Sequence, residues 1–452
     1  MKNILIIGAG RSASSLISYL LRQADIFDWK LTVADVDVHL AEEKIAGHSR
    51  GTPLSFDIRN EEQRRSVIGQ HDLIISMLPA FMHGDVARDC IDAGKHLATA
   101  SYVSAEMKKL EGEAIKKGVL LLNECGLDPG LDHASAMKII DGIKAKGGIV
   151  RTFKSYCGGL VAPESNDNPW GYKFSWNPRN VVLAGQGTAQ WLDKGRIHFI
   201  PYNRLFLQTD RIKTEKYGSF DAYANRDSIS YIDIYGLTGV QTMLRGTLRQ
   251  SGYCAAWNVF VQLGLTDDSS RITQSNRLTY TGLLRAFLPG YPTDVREGLR
   301  KLMGKDWTKE TEVLFDYLEL FNERPITLAE GSPAQLLQAL LEEKWLLRSG
   351  DRDLIVMQHQ FEYEEPGQAG MKRLHSSLVL EGQNEQQTAM ALTVGLPLAI
   401  TVKNFITGKF DLRGIQIPIR PEIYTPLLKE LEEHQIHFVE EELNEHGSQT
   451  SR

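Results

Sequence analysis

Over the first 125 residues, short apolar runs alternate with amphipathic stretches. Asn3–Ile7, Trp29–Ala34, His71–Leu78 and Val119–Leu122 are apolar runs. Ser12–Arg22, Met82–Ala93 and Ser104–Lys117 carry the helical pattern, the first with Leu16, Ile17, Leu20 and Leu21 on one face. Apolar runs of roughly four to eight residues set between amphipathic helices are strands of a parallel sheet buried on both faces. The pattern predicts a doubly wound α/β domain.

From Gly126 the texture changes. Residues near 150–265 are rich in aromatics, glycine and proline, with short strand-like pieces, and residues near 280–350 are helical, as in Thr311–Phe321 and Ala334–Trp345. Asp353–Glu362 and Leu374–Leu380 read as a hairpin. A long apolar helix is expected over Thr388–Phe405, with Gly408 as its C′ residue and a kink at Gly395 and Pro397. Its lack of polar residues predicts burial against the first domain. From about Glu440 the chain is acidic and polar and is expected to fray. The organisation predicted is a Rossmann dinucleotide-binding domain over 1–125, completed by 388–452. A mixed α+β domain spans 126–387, with a helical subdomain at 280–350.

Composition narrows the function classes. At 452 residues two or three lobes are expected, and a net charge of −6 offers no broad basic field for nucleic acid or anionic lipid. The apolar start MKNILIIGAG is shorter than the roughly 7–15 residues of a signal core, and Gly8 and Gly10 end it. No stretch reaches about 18 uninterrupted apolar residues, so no membrane span is expected. Cys90, Cys125, Cys157 and Cys254 are widely spaced, which argues against a disulfide framework or a zinc site and for a reduced, cytoplasmic setting.

Gly8-Ala9-Gly10-Arg11-Ser12-Ala13 follows the first strand and opens a helix. In that setting Gly8 allows the tight turn, Gly10 lets the backbone approach a pyrophosphate, and Ala13 lets helix and strand pack. The helix start adds free N–H groups and positive partial charge. Asp35 ends the second strand about twenty residues on, where a carboxylate accepts from a ribose 2′-OH and repels a 2′-phosphate. Asp37 adds to the repulsion, so NAD is expected over NADP, with Arg11 able to swing toward a 2′-phosphate. Asp57, after the third strand, is either an adenine-side contact or a loop-starting residue. Ser76-Met77-Leu78 ends the fourth strand, where ribose and nicotinamide pass.

Thr99-Ala100-Ser101-Tyr102 and Gly126-Leu127-Asp128-Pro129-Gly130 lie at further strand ends, where ligands bind in open α/β sheets. Downstream come Ser155-Tyr156-Cys157-Gly158-Gly159-Leu160, Gly171-Tyr172-Lys173-Phe174-Ser175-Trp176, Asn225-Arg226-Asp227 and Arg245-Gly246-Thr247-Leu248-Arg249. In this order the segments closely resemble the L-glutamate-forming saccharopine dehydrogenase (saccharopine reductase) family, over nearly the whole chain. The resemblance implies substrate contacts at Ser101, Tyr102, Asp128, Arg226, Thr247, Leu248 and Arg249. It implies cofactor contacts at Ala9 to Ser12, Asp35, Asp57, Ser76 to Leu78, Leu127 to Pro129 and Ser175. It also implies that the 126–387 domain serves substrate binding and dimerisation, and that the protein is a homodimer.

Saccharopine carries three carboxylates, which gives Arg226 and Arg249 a reason to be arginine, although residue type alone also fits structural salt bridges. Oxidation of its secondary amine and hydrolysis of the imine call for a base tuned near neutrality. Asp128, Cys157 and Tyr102 are the candidates, with His133 a weaker one. Fungal NADP members of the family place an arginine just after the second strand, where this chain has Asp35-Val36-Asp37. Two rival readings remain: a carboxynorspermidine or homospermidine type dehydrogenase, whose polyamine pocket should be acidic, and a non-catalytic NAD-sensing protein on the same fold.

Overall fold

The structure is a computed structural model that describes residues 1–214, 216–368 and 370–443. It divides into two compact units, Met1–Gly148 with Gly382–Val439, and Ile149–Glu381 with the residues from Glu440.

The first unit is built on seven parallel strands. They are β1 (Lys2–Ile7), β2 (Trp29–Asp35), β3 (Gly51–Ser55), β4 (Leu73–Ser76), β5 (His96–Thr99), β6 (Leu120–Leu122) and the strand Gly414–Gln416. Their order is Gly414–Gln416, β6, β5, β4, β1, β2, β3, so the winding reverses between β1 and β4. Helices on both faces leave Ile4, Leu5 and Ile6 of β1 with no exposed surface, which is why these strands read as unbroken apolar runs. In such a sheet the crevice at the carboxyl ends of the strands, at the reversal, is the ligand site. Strand β4 is shorter than the apolar run that predicted it. His71 is drawn aside by bonds to the Val67 carbonyl and the Thr32 hydroxyl, and Met77 already begins the turn, its amide donating to Ile7.

Helix α1 (Ser14–Phe27) follows a single 3₁₀ turn at Arg11–Ala13, and α2 (His83–Ala93) follows β4. The unit extends past residue 125, where the boundary was expected, because α3 (Leu131–Ala145) packs on a late helix, Pro421–Glu433. The Tyr424 hydroxyl donates to Asp141 at 2.7 Å between them. The apolar helix α4 (Ala389–Ile406) is capped by Thr388 and runs unbroken across Pro397, and Gly408 beyond it is left-handed. By length and composition alone α4 could cross a membrane. Here most of it is buried against α1 and the 3₁₀ turn.

The second unit holds a nine-stranded mixed sheet. Along its main path the order is β10 (Thr209–Thr214), β11 (Gly218–Ala224), β12 (Thr242–Gln250), β7 (Ile149–Val161), β13 (Asp353–Glu364), β14 (Lys372–Glu381) and the strand Val439–Leu443. Strand β8 (Thr188–Asp193) pairs with β12 and with β9 (Arg196–Pro201). The region expected to fray from Glu440 thus begins as an edge strand, and residues 444–452 lie outside the described residues. Strand alternation sorts the side chains of the sheet. Tyr156, Leu160, Phe220, Ala222, Leu244, Leu248, Leu354 and Val356 form an apolar cluster. Their alternates, Cys157, Asp221, Tyr223, Arg245, Thr247 and Arg249, face the other way. A larger core of Trp170, Tyr172, Tyr253, Trp257, Phe260, Phe315 and Trp345 gathers the helical part between residues 253 and 344.

Candidate active site

In the glycine loop of the first unit, Gly8 has φ +102°, and a Cβ there would press on the Met77 backbone at 3.2 Å. Nothing lies within 4 Å of where a Gly10 Cβ would stand, so this backbone is open to a close-approaching group. Arg11 is exposed, Ser12 half-buried and Ala13 buried under the helix. This geometry fits a dinucleotide pyrophosphate at the start of the helix.

Asp35 and Asp37 differ in role. The Asp35 carboxylate accepts from the Ala9 amide at 2.7 Å and from the Asp37 amide at 3.0 Å, so it is fixed at the lip of the loop. Asp37 is the N-cap of the next helix, Val38–Ile45, accepting from the His39 amide. Asp57 is gripped by Arg59 through Nε at 2.9 Å and Nη2 at 2.8 Å, and that guanidinium holds its carboxyl below the usual range. It is therefore a paired loop residue two positions past β3.

The ends of β4 and β5 meet through a residue the sequence did not single out. Ser76 is buried, and its hydroxyl bonds His83 Nδ1 at 3.0 Å. His83 Nε2 lies 2.8 Å from the Ser101 hydroxyl and 3.2 Å from that of Thr99. Burial pushes the His83 imidazole down to about 4. Ser76 thus offers a ligand its backbone and not its side chain. Met77 and Leu78 are half-buried, with Leu78 packed on the core.

Tyr102 and Asp128 come together, the phenol donating to Oδ1 at 2.9 Å. Asp128–Pro129 is a cis peptide, and Leu127 beside it is buried. Glu124, with φ +56°, ties the two loops: its Oε1 accepts from the Val103 amide and its Oε2 bonds His133 at 2.7 Å. His133 is wholly buried, with Asp132 on its other nitrogen at 3.4 Å, so it is a structural member of an acid–imidazole cluster.

In the second unit Cys157 is the β7 neighbour of Thr247 on β12, and Tyr223 on β11 is the next in the row. Arg249 on the same face is 3% exposed. Its guanidinium carbon lies 5.4, 5.7 and 5.5 Å from the ring centres of Tyr172, Tyr223 and Tyr253, and Nη1 donates to the Leu248 carbonyl at 2.9 Å. Its Nε is buried without a partner, and no ion pair forms to it among the described residues. Arg226, by contrast, is exposed and left-handed, its carbonyl accepting from Gln190. Leu248 is wholly buried in the apolar cluster, which leaves only its backbone for a ligand, and Ser175 is buried.

Comparison with known proteins adds the family. The model described as the saccharopine dehydrogenase NADP binding domain matches residues 4–122, and that of the saccharopine dehydrogenase C-terminal domain matches 126–436. A Saccharomyces cerevisiae saccharopine dehydrogenase [NADP(+), L-glutamate-forming] is 33% identical over 438 residues, 96% of this chain and 97% of that protein. The mitochondrial alpha-aminoadipic semialdehyde synthase of Bos taurus is 35% identical over 95% of this chain and 46% of its own length. The solved apo saccharopine dehydrogenase (L-Glu forming) from S. cerevisiae has a TM-score of 0.87 at 32% identity, covering 98% of this chain and all of that one. A Legionella pneumophila homospermidine synthase in complex with NAD shares the fold, with a TM-score of 0.55 at 11% identity, covering 97% of this chain and 91% of that one.

Proposed function

The chain belongs to the saccharopine dehydrogenase family, and we propose that it oxidises saccharopine to L-glutamate and 2-aminoadipate 6-semialdehyde, or runs the reverse condensation. It is a nicotinamide-dependent oxidoreductase acting on a CH–NH group. The observation that carries the substrate half is Arg249, a guanidinium buried among tyrosines with no carboxylate of its own. Such a charge is satisfied by a carboxylate brought in by a ligand.

When bound, a nicotinamide dinucleotide would supply the hydride acceptor for the carbon destined to become the aldehyde. The open backbone at Gly10 and the fixed Asp35 are the groups that would hold it. The amine nitrogen must lose a proton for its lone pair to form the imine, and a base must then help water add. Asp128 is the base in this reading. Its carboxylate is aligned by the Tyr102 hydroxyl, which donates to Oδ1 and steadies the charge. Collapse of the hydrated imine releases the amine as L-glutamate. Cys157, beside Thr247, lines the sheet face that bears Arg249. The homodimer and the cytoplasmic setting complete the proposal, the latter supported by four buried thiols that form no disulfide.

Purified protein given saccharopine and NAD should generate NADH and L-glutamate in equal amounts. Turnover of a carboxypolyamine with none of saccharopine overturns the substrate assignment.

We further propose NAD as the preferred cofactor, since a 2′-phosphate at the lip of the loop would meet the Asp35 carboxylate. Removing that charge while keeping an acceptor for the Ala9 amide, as in Asp35→Asn, should narrow the NAD-over-NADP ratio of kcat/KM by about tenfold or more. A wild-type preference for NADP would show that Asp35 does not discriminate.

A further inference from the structure

Glu124 stands just past the end of β6, and Tyr102 just past the end of β5, its neighbour in the sheet. Glu124 holds both peptide groups that flank Tyr102. Its amide donates to the Ser101 carbonyl at 3.0 Å, and its Oε1 accepts from the Val103 amide at 2.9 Å. Its other carboxylate oxygen lies 2.7 Å from Nε2 of His133, in the first turn of α3. That turn carries the loop of Asp128. The Leu131 amide donates to the Gly126 carbonyl at 2.8 Å, and the Asp132 amide to that of Leu127 at 3.1 Å. One residue therefore joins the backbone on either side of Tyr102 to the helix start that holds Asp128.

The placement is costly. Glu124 has φ +56°, a left-handed conformation that favours glycine and that glutamate rarely adopts. It is also 4% exposed, and a carboxylate taken that far out of water needs hydrogen bonds to replace those it has lost. Backbone outliers of this kind persist where their surroundings over-determine them, and they cluster at active sites. Tyr102 is half-buried and donates to Asp128 Oδ1 at 2.9 Å from the far end of its side chain. A small rotation of the backbone at residue 102 is magnified at the phenol oxygen. The bond to Asp128 is kept in line only if the peptides on both sides of Tyr102 are fixed, and Glu124 fixes both.

We propose that Glu124 is a positioning residue for the Tyr102–Asp128 pair, setting the approach of the phenol to the carboxylate from the two peptides around Tyr102 and the helix turn behind Asp128. The inference rests on the proposed function for the role of Asp128 as base, and on geometry alone for the clamp. Glu124 acts through Tyr102 and carries no proton of the reaction itself.

Glu124→Gly keeps the left-handed backbone and its amide bond and removes the side chain, whereas Glu124→Gln keeps an acceptor for the Val103 amide. The glycine variant should lower kcat for saccharopine by about thirtyfold, and the glutamine variant by no more than about threefold. Glu124→Asp also suits the left-handed backbone but is one carbon shorter. It should fall with the glycine variant, and it supplies the reading if that variant does not fold. Combining Glu124→Gly with Tyr102→Phe separates positioning from support. If Glu124 works through the phenol, its loss in the Tyr102→Phe background lowers kcat by no more than about a further threefold. The full factor in both backgrounds would make Glu124 a structural tie, and a Tyr102→Phe variant as active as wild type would leave it nothing to position. Either result overturns the proposal. Hydrogen exchange over residues 101–105, read without substrate, should quicken by about tenfold in Glu124→Gly and keep its wild-type rate in Glu124→Gln. Unchanged exchange in Glu124→Gly overturns the clamp even if saccharopine is the substrate. Absence of saccharopine oxidation by the wild type removes the functional reading but leaves the exchange measurement to decide this one.

Discussion

Arg249→Met should raise the KM for saccharopine by about two to three orders of magnitude, leave NAD binding unchanged, and make the protein no less stable. The two halves of that expectation have one cause. The guanidinium sits at 3% exposure among Tyr172, Tyr223 and Tyr253, with one bond to a carbonyl and a buried Nε that bonds nothing. Cation–π contacts of about 1–2 kcal/mol offset part of the desolvation of a charge, which is several kcal/mol. The remainder is strain that a ligand carboxylate relieves. Methionine fills much of the volume with no charge, so the free protein loses a liability while the complex loses its clamp. Arg249→Lys keeps the charge and lacks the planar fork, so it should recover only part of the affinity. Steady-state kinetics with saccharopine and a thermal melt read the two effects. A large fall in Tm with little change in KM would mean that Arg249 is a structural post and the carboxylate binds elsewhere.

The sequence distinguished Arg226 and Arg249 poorly because both are arginines in short distinctive segments. The structure separates them by burial, which depends on which helices cover the sheet. Part of the distinction is legible in strand alternation: residues 247, 248 and 249 lie on one strand, so Thr247 and Arg249 share a face and Leu248 takes the other. The glycine loop was readable because its chemistry is local, from strand to turn to helix within residues 2–27. Asp37 was not, since a carboxylate after a strand looks the same whether it faces a ribose or caps the next helix. His83 was hidden for a different reason. Its partners lie 7, 16 and 18 residues away at the tips of two strands, and only the order β5-β4-β1 brings them together. The compact unit runs past residue 125 for a similar reason, because the partner of α3 lies nearly three hundred residues along the chain.

That long-range return also predicts how the cofactor loop is held. The sequence predicts a kink at Gly395, but its missing side chain is what lets α4 lie directly on the start of α1. A Cβ there would stand 2.8 Å from the Leu16 amide nitrogen, 3.2 Å from Leu16 Cβ and 3.4 Å from the Ser12 carbonyl. The first of these is backbone, so no rotamer change relieves it, and α1 must shift. Because the 3₁₀ turn and the glycine loop lead directly into α1, the shift is passed to the pyrophosphate site. Gly395→Ala carries an overpacking cost of about 1–3 kcal/mol against a helix-propensity gain of about 1 kcal/mol, so a net loss of stability is expected. A roughly tenfold weakening of NAD binding should accompany it, since a displacement of a few tenths of an ångström misaligns several N–H groups at once. Gly142→Ala is the matched control. That glycine is also helical, in α3, but it is exposed and has nothing within 4 Å of its Cβ position, so the same substitution should stabilise by up to about 1 kcal/mol. Calorimetric melts and NAD titrations of the pair distinguish the cases. If Gly395→Ala behaves like Gly142→Ala in both measurements, α4 is a loosely fitting cover and the glycine loop keeps its shape without it.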